Sequence, residues 1–238
     1  MSSGEWQIIG FTVRVAALST LLILPPGIWL AWLFAHRRWP GKTLVETLIS
    51  LPLVMPPVAT GLILLELLGR HGPIGSVLHH ALNVDIVFTW KAVVAATAVM
   101  SFPLLVRSAR VGFEQVIDEY EDAARVEGAH ALQVFWHVTL PLAARGITAG
   151  VILAYSRALG EFGATILVAG NIPGKTTTLA LAIYQCVQTG HDADAYRLLT
   201  VSVLLAFVAV WGSEYFLRRR DALPSEPSST STRSDGKG

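Results

Sequence analysis

Charged residues are scarce in this chain of 238 residues: Asp, Glu, Lys and Arg together make up 15% of it, whereas 53% is hydrophobic. An average soluble chain is about 25% charged, and the mean hydropathy here is +0.53. This composition excludes an ordinary soluble domain and is typical of a membrane protein. The net charge is only +1 and the basic residues form small clusters, so no nucleic-acid partner is expected.

Cysteine is also scarce, since Cys186 is the only one in the sequence. One cysteine excludes a disulfide within the chain and a cluster of thiolate metal ligands. The seven histidines are scattered and lack the paired spacing of metal ligands on one helix. The apolar segments contain no cluster of His, Asp and Glu of the kind that a membrane-embedded enzyme needs. We therefore expect no metal site, no cofactor and no catalytic residue in this chain.

Five apolar segments are long enough to cross a bilayer, whose ~30 Å hydrocarbon core needs about 20 helical residues. None shows the strict alternation of a membrane β-strand. Residues 1–10 contain no Lys or Arg, and the apolar run after them is too long for a cleavable signal peptide, so the first segment is expected to be retained. Prolines in or beside several segments predict kinked, packed helices. The predicted spans are Phe11–Phe34, Leu44–Leu68, Val87–Val106, Gly146–Val168 and Leu198–Phe216.

Basic residues are distributed unequally between the two sets of loops that these spans create. Twelve Lys and Arg residues fall in one set and three in the other, and the more basic side of a membrane protein is normally cytoplasmic. The N-terminus is therefore predicted outside the membrane and the C-terminus in the cytoplasm. Residues 1–220 form the predicted transmembrane domain. Residues 221–238, rich in Ser, Thr, Pro and Gly, form a predicted disordered cytoplasmic tail.

A charged stretch, Asp118–Pro141, lies in a loop predicted to be cytoplasmic. Its apolar residues recur with helical spacing from Tyr120 to Val138, and Gly128 interrupts that spacing. Gly inside a helix costs about 1 kcal/mol relative to Ala, so two short helices joined at Gly128 are predicted. The pattern alone fits an interfacial helix on the inner leaflet equally well as an element that contacts another protein surface.

The spacing of this stretch resembles the EAA loop of ABC importer permeases, in which E-A-A, three residues, G, nine residues, I, any residue and L-P follow one another. Here Asp122 replaces Glu and Val138 replaces Ile, which keeps charge and shape. In that family the loop is the coupling helix that docks on the ATP-binding subunit. The resemblance implies that a separate subunit binds ATP and Mg²⁺ and hydrolyses the ATP. It also implies a coupling loop of about residues 112–141, with the docking residues Asp122, Ala123, Ala124, Gly128, Leu132, Phe135, Leu140 and Pro141.

The resemblance extends from the first span to about Trp211. The segments "SLPLVMPPVATGLILLELLGRHG", "AVMSFPLLVRSARVGFE" and "SRALGEFGATILVAGNIPGKTTTLALAIYQ" look like the permease subunits of the molybdate, tungstate and sulfate importer group. The sulfate permeases are typically longer, which favours molybdate and leaves tungstate and sulfate as alternatives. A self-contained secondary transporter is a further alternative, but residues 11–106 and 146–216 do not show the internal repeat that it would need.

This resemblance implies an all-α polytopic membrane protein with the fold of a type I ABC importer permease, about five kinked transmembrane helices and a cytoplasmic coupling helix. It also implies the partners of the chain: a second copy, a dimer of ATP-binding cassette subunits, an external oxyanion-binding protein and the lipid of the bacterial inner membrane. A pore on the axis of a homodimer is expected, because a protomer of five spans is too small to enclose a hydrophilic path alone.

The segment "GNIPGKTT", residues 170–177, looks like a phosphate-binding P-loop. The P-loop pattern requires Gly where this sequence has Ala169, and no strand is predicted before the segment, so no nucleotide site is expected here. Pro173 and Gly174 instead predict a turn that opens a re-entrant or interfacial helix, Thr177–Val187.

Charged residues also occur inside a predicted span, where they are costly and often functional. Arg157 and Glu161 are four residues apart, so they either pair and neutralise each other, or Arg157 helps a dianion through the pore. Gly160 and Gly163 permit close helix contact, which also fits a dimer seam. The candidate pore or gate residues are Ser156, Arg157, Gly160, Glu161, Gly163 and Thr165.

Overall fold

The computed structural model of the chain describes residues 3–221, so residues 222–238, which include nearly all of the predicted tail, lie outside the described residues. Every regular element between residues 3 and 221 is helical, as the sequence predicts. The helices are α1 (Ser3–His36), α2 (Lys42–Val54), α3 (Pro57–Leu68), α4 (Pro73–Leu82), α5 (Trp90–Glu114), α6 (Asp118–Val126), α7 (Ala131–Val134), a π-helical turn (Phe135–Thr139), α8 (Leu140–Leu159), α9 (Gly163–Ala169), α10 (Leu179–Gln188) and α11 (Asp192–Asp221).

A sharp bend divides the second predicted span into α2 and α3. The chain bends by 115° between the two helices, and the residues between them are Met55 and Pro56. Pro56 has no N–H to continue α2, whereas Pro57 is in the first turn of α3, where a missing N–H costs nothing. The predicted span Leu44–Leu68 is therefore divided into two helices at Met55 and Pro56. Counted as one crossing, the bent pair brings the candidate spans among the described residues to five.

The fourth span also differs from its predicted bounds, Gly146–Val168. α8 begins at Leu140 and ends at Leu159, and the chain then leaves helical geometry before α9 begins at Gly163. The apolar run continues through this break, so hydropathy alone does not detect it. The spans predicted near the two termini lie within α1 and α11, and α5 begins three residues after the predicted start of its span.

α5 is the central helix of the bundle, with fourteen buried residues along its length. It packs against α1 and α8, and its backbone comes closest to α8 at two glycines. A Cβ added to Gly146 would lie 2.4 Å from the Cα of Gly112 and 2.8 Å from the carbonyl oxygen of Ser108. The Ser108 hydroxyl donates a hydrogen bond of 3.0 Å to the carbonyl of Gly146. Backbone contact of this kind is typical of membrane helices that meet through small residues.

An ion pair closes the loop that connects α3, α4 and α5. Arg70 donates two hydrogen bonds to the carboxylate of Asp85, at 3.0 and 2.6 Å. These hydrogen bonds from Arg70 are the main reason that the pKa of Asp85 is lowered from its ordinary value. The pair ties the end of α3 to the segment that leads into α5.

The segment that resembles a P-loop is a turn between two helices. α9 precedes it, so the strand that a P-loop requires is absent from this described segment. Gly174 has a φ of 76°, and α10 then begins at Leu179 with Thr178 as its N-cap. The short helix predicted over Thr177–Val187 is confirmed with slightly later bounds. The hydroxyl of Thr12 accepts a 2.8 Å hydrogen bond from the Leu179 N–H, which joins α10 to α1.

The contact of α5 and α8 predicts a strong effect of one substitution. Gly146→Leu would place a side chain against the backbone of α5, which cannot move aside, so we expect the thermal midpoint of the detergent-solubilised protein to fall by roughly 5–10 °C. Gly10→Leu is the matched control, because a Cβ at Gly10 meets no atom within 4 Å. Equal midpoints for the two variants, measured by differential scanning fluorimetry, would contradict this packing.

Candidate coupling and pore sites

The charged stretch folds as two short helices followed by a π-helical turn. α6 ends at Val126 and α7 begins at Ala131, and Gly128 between them has a φ of 94°. This confirms the prediction of two helices joined at Gly128. At the start of α7, the Gln133 side chain accepts from the backbone N–H of His130, while His130 Nδ1 accepts from the backbone N–H of Gln133. The second helix thus begins at a defined residue.

Gly128 is required by its backbone conformation and not by crowding. A Cβ at this position would meet no atom within 4 Å, so no neighbouring atom requires a glycine here. A positive φ still disfavours any residue with a Cβ, and a β-branched residue most of all.

Several apolar side chains of this stretch face away from the helical bundle. Ala123 is exposed, as are Val126 at 88% and Leu132 at 63%. Tyr120 and Trp136 are also more than half exposed. Sequence reasoning missed Val126, because the EAA pattern allows any residue at its position. We call these exposed apolar residues, Tyr120, Ala123, Val126, Leu132 and Trp136, the outer face of the stretch.

Three of the predicted docking residues, Phe135, Leu140 and Pro141, do not belong to the outer face. Phe135 turns toward the bundle and packs on Trp32 and Phe113, at ring-centroid distances of 5.9 and 6.4 Å. Leu140 packs in the same hydrophobic cluster. Pro141 is exposed in the first turn of α8, where proline is favoured. Phe135 and Leu140 therefore anchor the stretch to the bundle, whereas the residues of the outer face are exposed.

The buried acid of α6 is Glu121 and not its neighbour Asp122. Glu121 is 6% exposed, whereas the Asp122 side chain is 68% exposed and pairs with Arg125 at 2.6 Å. The EAA pattern specifies an acidic residue at the position of Asp122 and does not specify the residue before it, so it did not predict the role of Glu121. The partly buried Ala124 lines a shallow open groove with Gly128, Ala129 and Val138.

The second candidate site is the break between α8 and α9, where Arg157 and Glu161 form the ion pair that their spacing predicts. Arg157 Nη1 lies 2.7 Å from Glu161 Oε2, within ion-pair distance but outside hydrogen-bond geometry. Glu161 Oε1 accepts a 2.8 Å hydrogen bond from the Ala164 N–H in the first turn of α9. The Glu161 side chain is 2% exposed and that of Arg157 is 31% exposed. The buried carboxylate therefore both pairs with a cation and caps the next helix.

The other candidate pore residues surround this break but do not form one site. Gly160 is exposed and a Cβ there would meet nothing within 4 Å, so it makes no close helix contact. A Cβ at the buried Gly163 would lie 2.7 Å from the Cβ of Pro57, so Gly163 packs within the protomer. The hydroxyl oxygens of Ser156 and Thr165 are buried without a hydrogen-bond partner. Gly163 thus packs inside the protomer, whereas Gly160 is exposed on its surface.

Comparison with known proteins identifies the family. The model of the family described as "Binding-protein-dependent transport system inner membrane component" matches residues 23–221. The chain is 43% identical over 219 residues to the molybdenum transport system permease protein ModB of Escherichia coli K12, covering 92% of this chain and 96% of the relative. The sulfate transport system permease protein CysT of Salmonella typhimurium is 37% identical, over 76% of this chain and 66% of the relative.

Two solved structures have the same fold. A bacterial ABC transporter involved in the import of alginate matches with a TM-score of 0.70 and 18% identity, over 92% of this chain and 80% of that chain. The inward-facing MetNI methionine ABC transporter matches with a TM-score of 0.65 and 16% identity, over 92% of this chain and 99% of that chain. These likenesses confirm the predicted helical permease fold. The chain belongs to the family of binding-protein-dependent transport system inner membrane components.

Proposed function

We propose that the chain is the pore-forming permease subunit of an ATP-driven importer of molybdate in the bacterial inner membrane. The observation that carries this proposal is the 43% identity to a molybdenum permease, which extends over 92% of this chain and 96% of the relative. The sulfate permease CysT matches over only 66% of its own length. Chain length and identity together favour molybdate over sulfate, and tungstate, an oxyanion of the same charge and shape, stays the alternative.

The chemical energy comes from a separate subunit in this proposal. ATP and Mg²⁺ bind to an ATP-binding cassette dimer, which docks on the outer face of the coupling stretch. Exposed apolar residues such as Val126 and Leu132 supply contact area, and the exposed carboxylate of Asp122 supplies charge at the rim. The groove beside Ala124 and Gly128 accepts a side chain of the partner. An external oxyanion-binding protein delivers the substrate on the opposite side.

The pore lies between two copies of the chain in this proposal. Two elements support a homodimer, because they bury little within one protomer. α2 has no buried residue, and only 11% of the apolar window of α11 is buried. A second copy and lipid together cover these surfaces. The unequal distribution of basic residues supports an N-terminus outside the membrane and a C-terminus in the cytoplasm.

Uptake by the assembled importer tests the proposed substrate. The permease is reconstituted in liposomes with an ATP-binding cassette subunit and an oxyanion-binding protein from the same organism, and accumulation of radioactive molybdate is measured. We expect ATP-dependent uptake that a hundredfold excess of sulfate leaves within twofold of its original rate. Suppression by sulfate would contradict the molybdate assignment, and uptake by the permease alone would indicate a secondary transporter.

Substitutions in the coupling stretch test the docking surface. Ala124→Trp fills the groove and Gly128→Val strains the turn, so we expect both variants to insert in the membrane, to lose the ATPase during affinity purification and to transport less than a tenth of the wild-type amount. Gly128→Asn should retain most activity, because Asn tolerates positive φ. Leu21→Trp, at a 63% exposed position of α1, is the control for adding Trp to a lipid-facing surface. An interfacial helix would accept Ala124→Trp without loss.

Substitutions of Arg157 and Glu161 test whether Arg157 assists passage of the anion through the pore. The Arg157 guanidinium is partly exposed beside the buried Glu161, so its remaining N–H groups are accessible to a passing oxyanion. We expect Arg157→Gln to slow uptake at least tenfold with the ATPase still bound. The double variant Arg157→Gln with Glu161→Gln keeps an acceptor for the Ala164 N–H and removes both charges. Recovery of uptake in the double variant would reduce the role of Arg157 to neutralising Glu161.

A further inference from the structure

Glu121 is held by partners from three parts of the fold. Its Oε1 accepts a 2.6 Å hydrogen bond from the hydroxyl of Thr139, at the end of the π-helical turn. Its Oε2 accepts a 2.8 Å bond from Arg125 on α6 itself. Nε2 of His36, the last residue of α1, lies 3.5 Å from Oε1. One carboxylate therefore joins the coupling stretch to the ends of two membrane helices, since α8 follows Thr139 directly.

This carboxylate is the main inward contact of α6. Of the nine residues of that helix, Glu121 alone is buried, and the apolar residues Tyr120 and Val126 point to the outer face. A helix that docks through apolar side chains slides at little cost, because dispersion has no direction. A hydrogen-bonded carboxylate fixes distance and angle, and an unpaired buried charge is costly, so the contact resists both rotation and separation.

The partners of Glu121 are themselves held in place. Thr139 is 1% exposed. His36 stacks on Trp32 with ring centroids 5.7 Å apart and meets Phe113 edge-on at 6.3 Å. Phe113 belongs to α5, so this aromatic cluster connects α1, α5 and the coupling stretch. A displaced α6 would thus carry the ends of α1 and α8 with it.

We infer that Glu121 is a positioning residue that transmits movement of the coupling stretch to α1 and α8 through Thr139 and His36. The inference rests on the proposed function, because it assumes that an ATPase moves α6. It assigns a second role within the stretch: the outer face binds the partner, and Glu121 passes the displacement into the membrane domain.

The ratio of molybdate imported to ATP hydrolysed tests this role in the reconstituted importer. We expect Glu121→Gln and Thr139→Val to lower that ratio at least fivefold, with the ATPase retained on purification and its hydrolysis continuing. Thr139→Ser keeps the hydroxyl and should keep the ratio. Glu121→Gln keeps an acceptor oxygen for Thr139 but loses the charge that pairs with Arg125 and His36, whereas Thr139→Val removes the hydrogen-bond donor itself. Glu119→Gln, an exposed acid two residues away, is the matched control.

A distance measurement separates failure of this inference from failure of the proposed function. Spin labels at Glu119→Cys on α6 and Arg38→Cys beyond α1, in a Cys186→Ser background, report how firmly α6 is held at the end of α1. This measurement needs no substrate. We expect a narrow distance distribution with Glu121 present and a broad one in the Glu121→Gln protein. The positioning role would be overturned if the Glu121→Gln protein kept the narrow distance distribution. It would also be overturned if the wild-type importer were active and the variants imported as much molybdate per ATP as the wild type. Absence of molybdate uptake by the wild type would instead refute the proposed substrate and leave the spectroscopic result to decide.

Discussion

The contact between the backbones of α5 and α8 determines where both candidate sites lie. No side chain separates the helices at Gly112 and Gly146, and further along α8 a Cβ on Gly150 would lie 2.9 Å from the carbonyl oxygen of Leu105. The two backbones touch directly where larger residues would place side chains between them. Membrane helices use such close packing because lipid provides no hydrophobic driving force for their association. Because α8 is fixed on the central helix, its start at Leu140 determines the position of the coupling stretch, and its end at Leu159 determines the position of the break.

Each end of α8 has a buried carboxylate next to it, and each carboxylate has a guanidinium within ion-pair distance and accepts a hydrogen bond from one other donor. Glu121 takes a hydroxyl and a guanidinium, and Glu161 takes a backbone N–H and a guanidinium. A buried charge without such partners is expensive, so each carboxylate constrains every element that supplies a partner. Beside the start of α8 these are α1, α6 and the π-helical turn, and at the break they are α8 and α9.

Hydropathy was sufficient to predict the number of membrane segments, and the Gly128 turn followed from helical spacing. Hydropathy was insufficient to predict the geometry of the second and fourth membrane segments. The bend between α2 and α3 depends on which of three prolines near the break falls at a helix start, and the break at Gly160 leaves the apolar run intact. The pair of Arg157 and Glu161 followed from spacing, because local pairs are visible in a sequence. The bond from Thr139 to Glu121 spans eighteen residues and depends on how the stretch folds back on the bundle, so no local pattern reveals it.

A continuous α8 gives the two sites a mechanical connection. Its twenty residues extend roughly 30 Å, about the thickness of the hydrocarbon core. Its one proline is in the first turn, where it does not kink the helix. Gly146 and Gly150 bring α8 directly against the backbone of α5, because neither glycine has a side chain to separate the helices. We infer that a displacement of Thr139 at one end is carried along the unbroken helix to Arg157 near the other end, where α8 stops and the capped start of α9 begins.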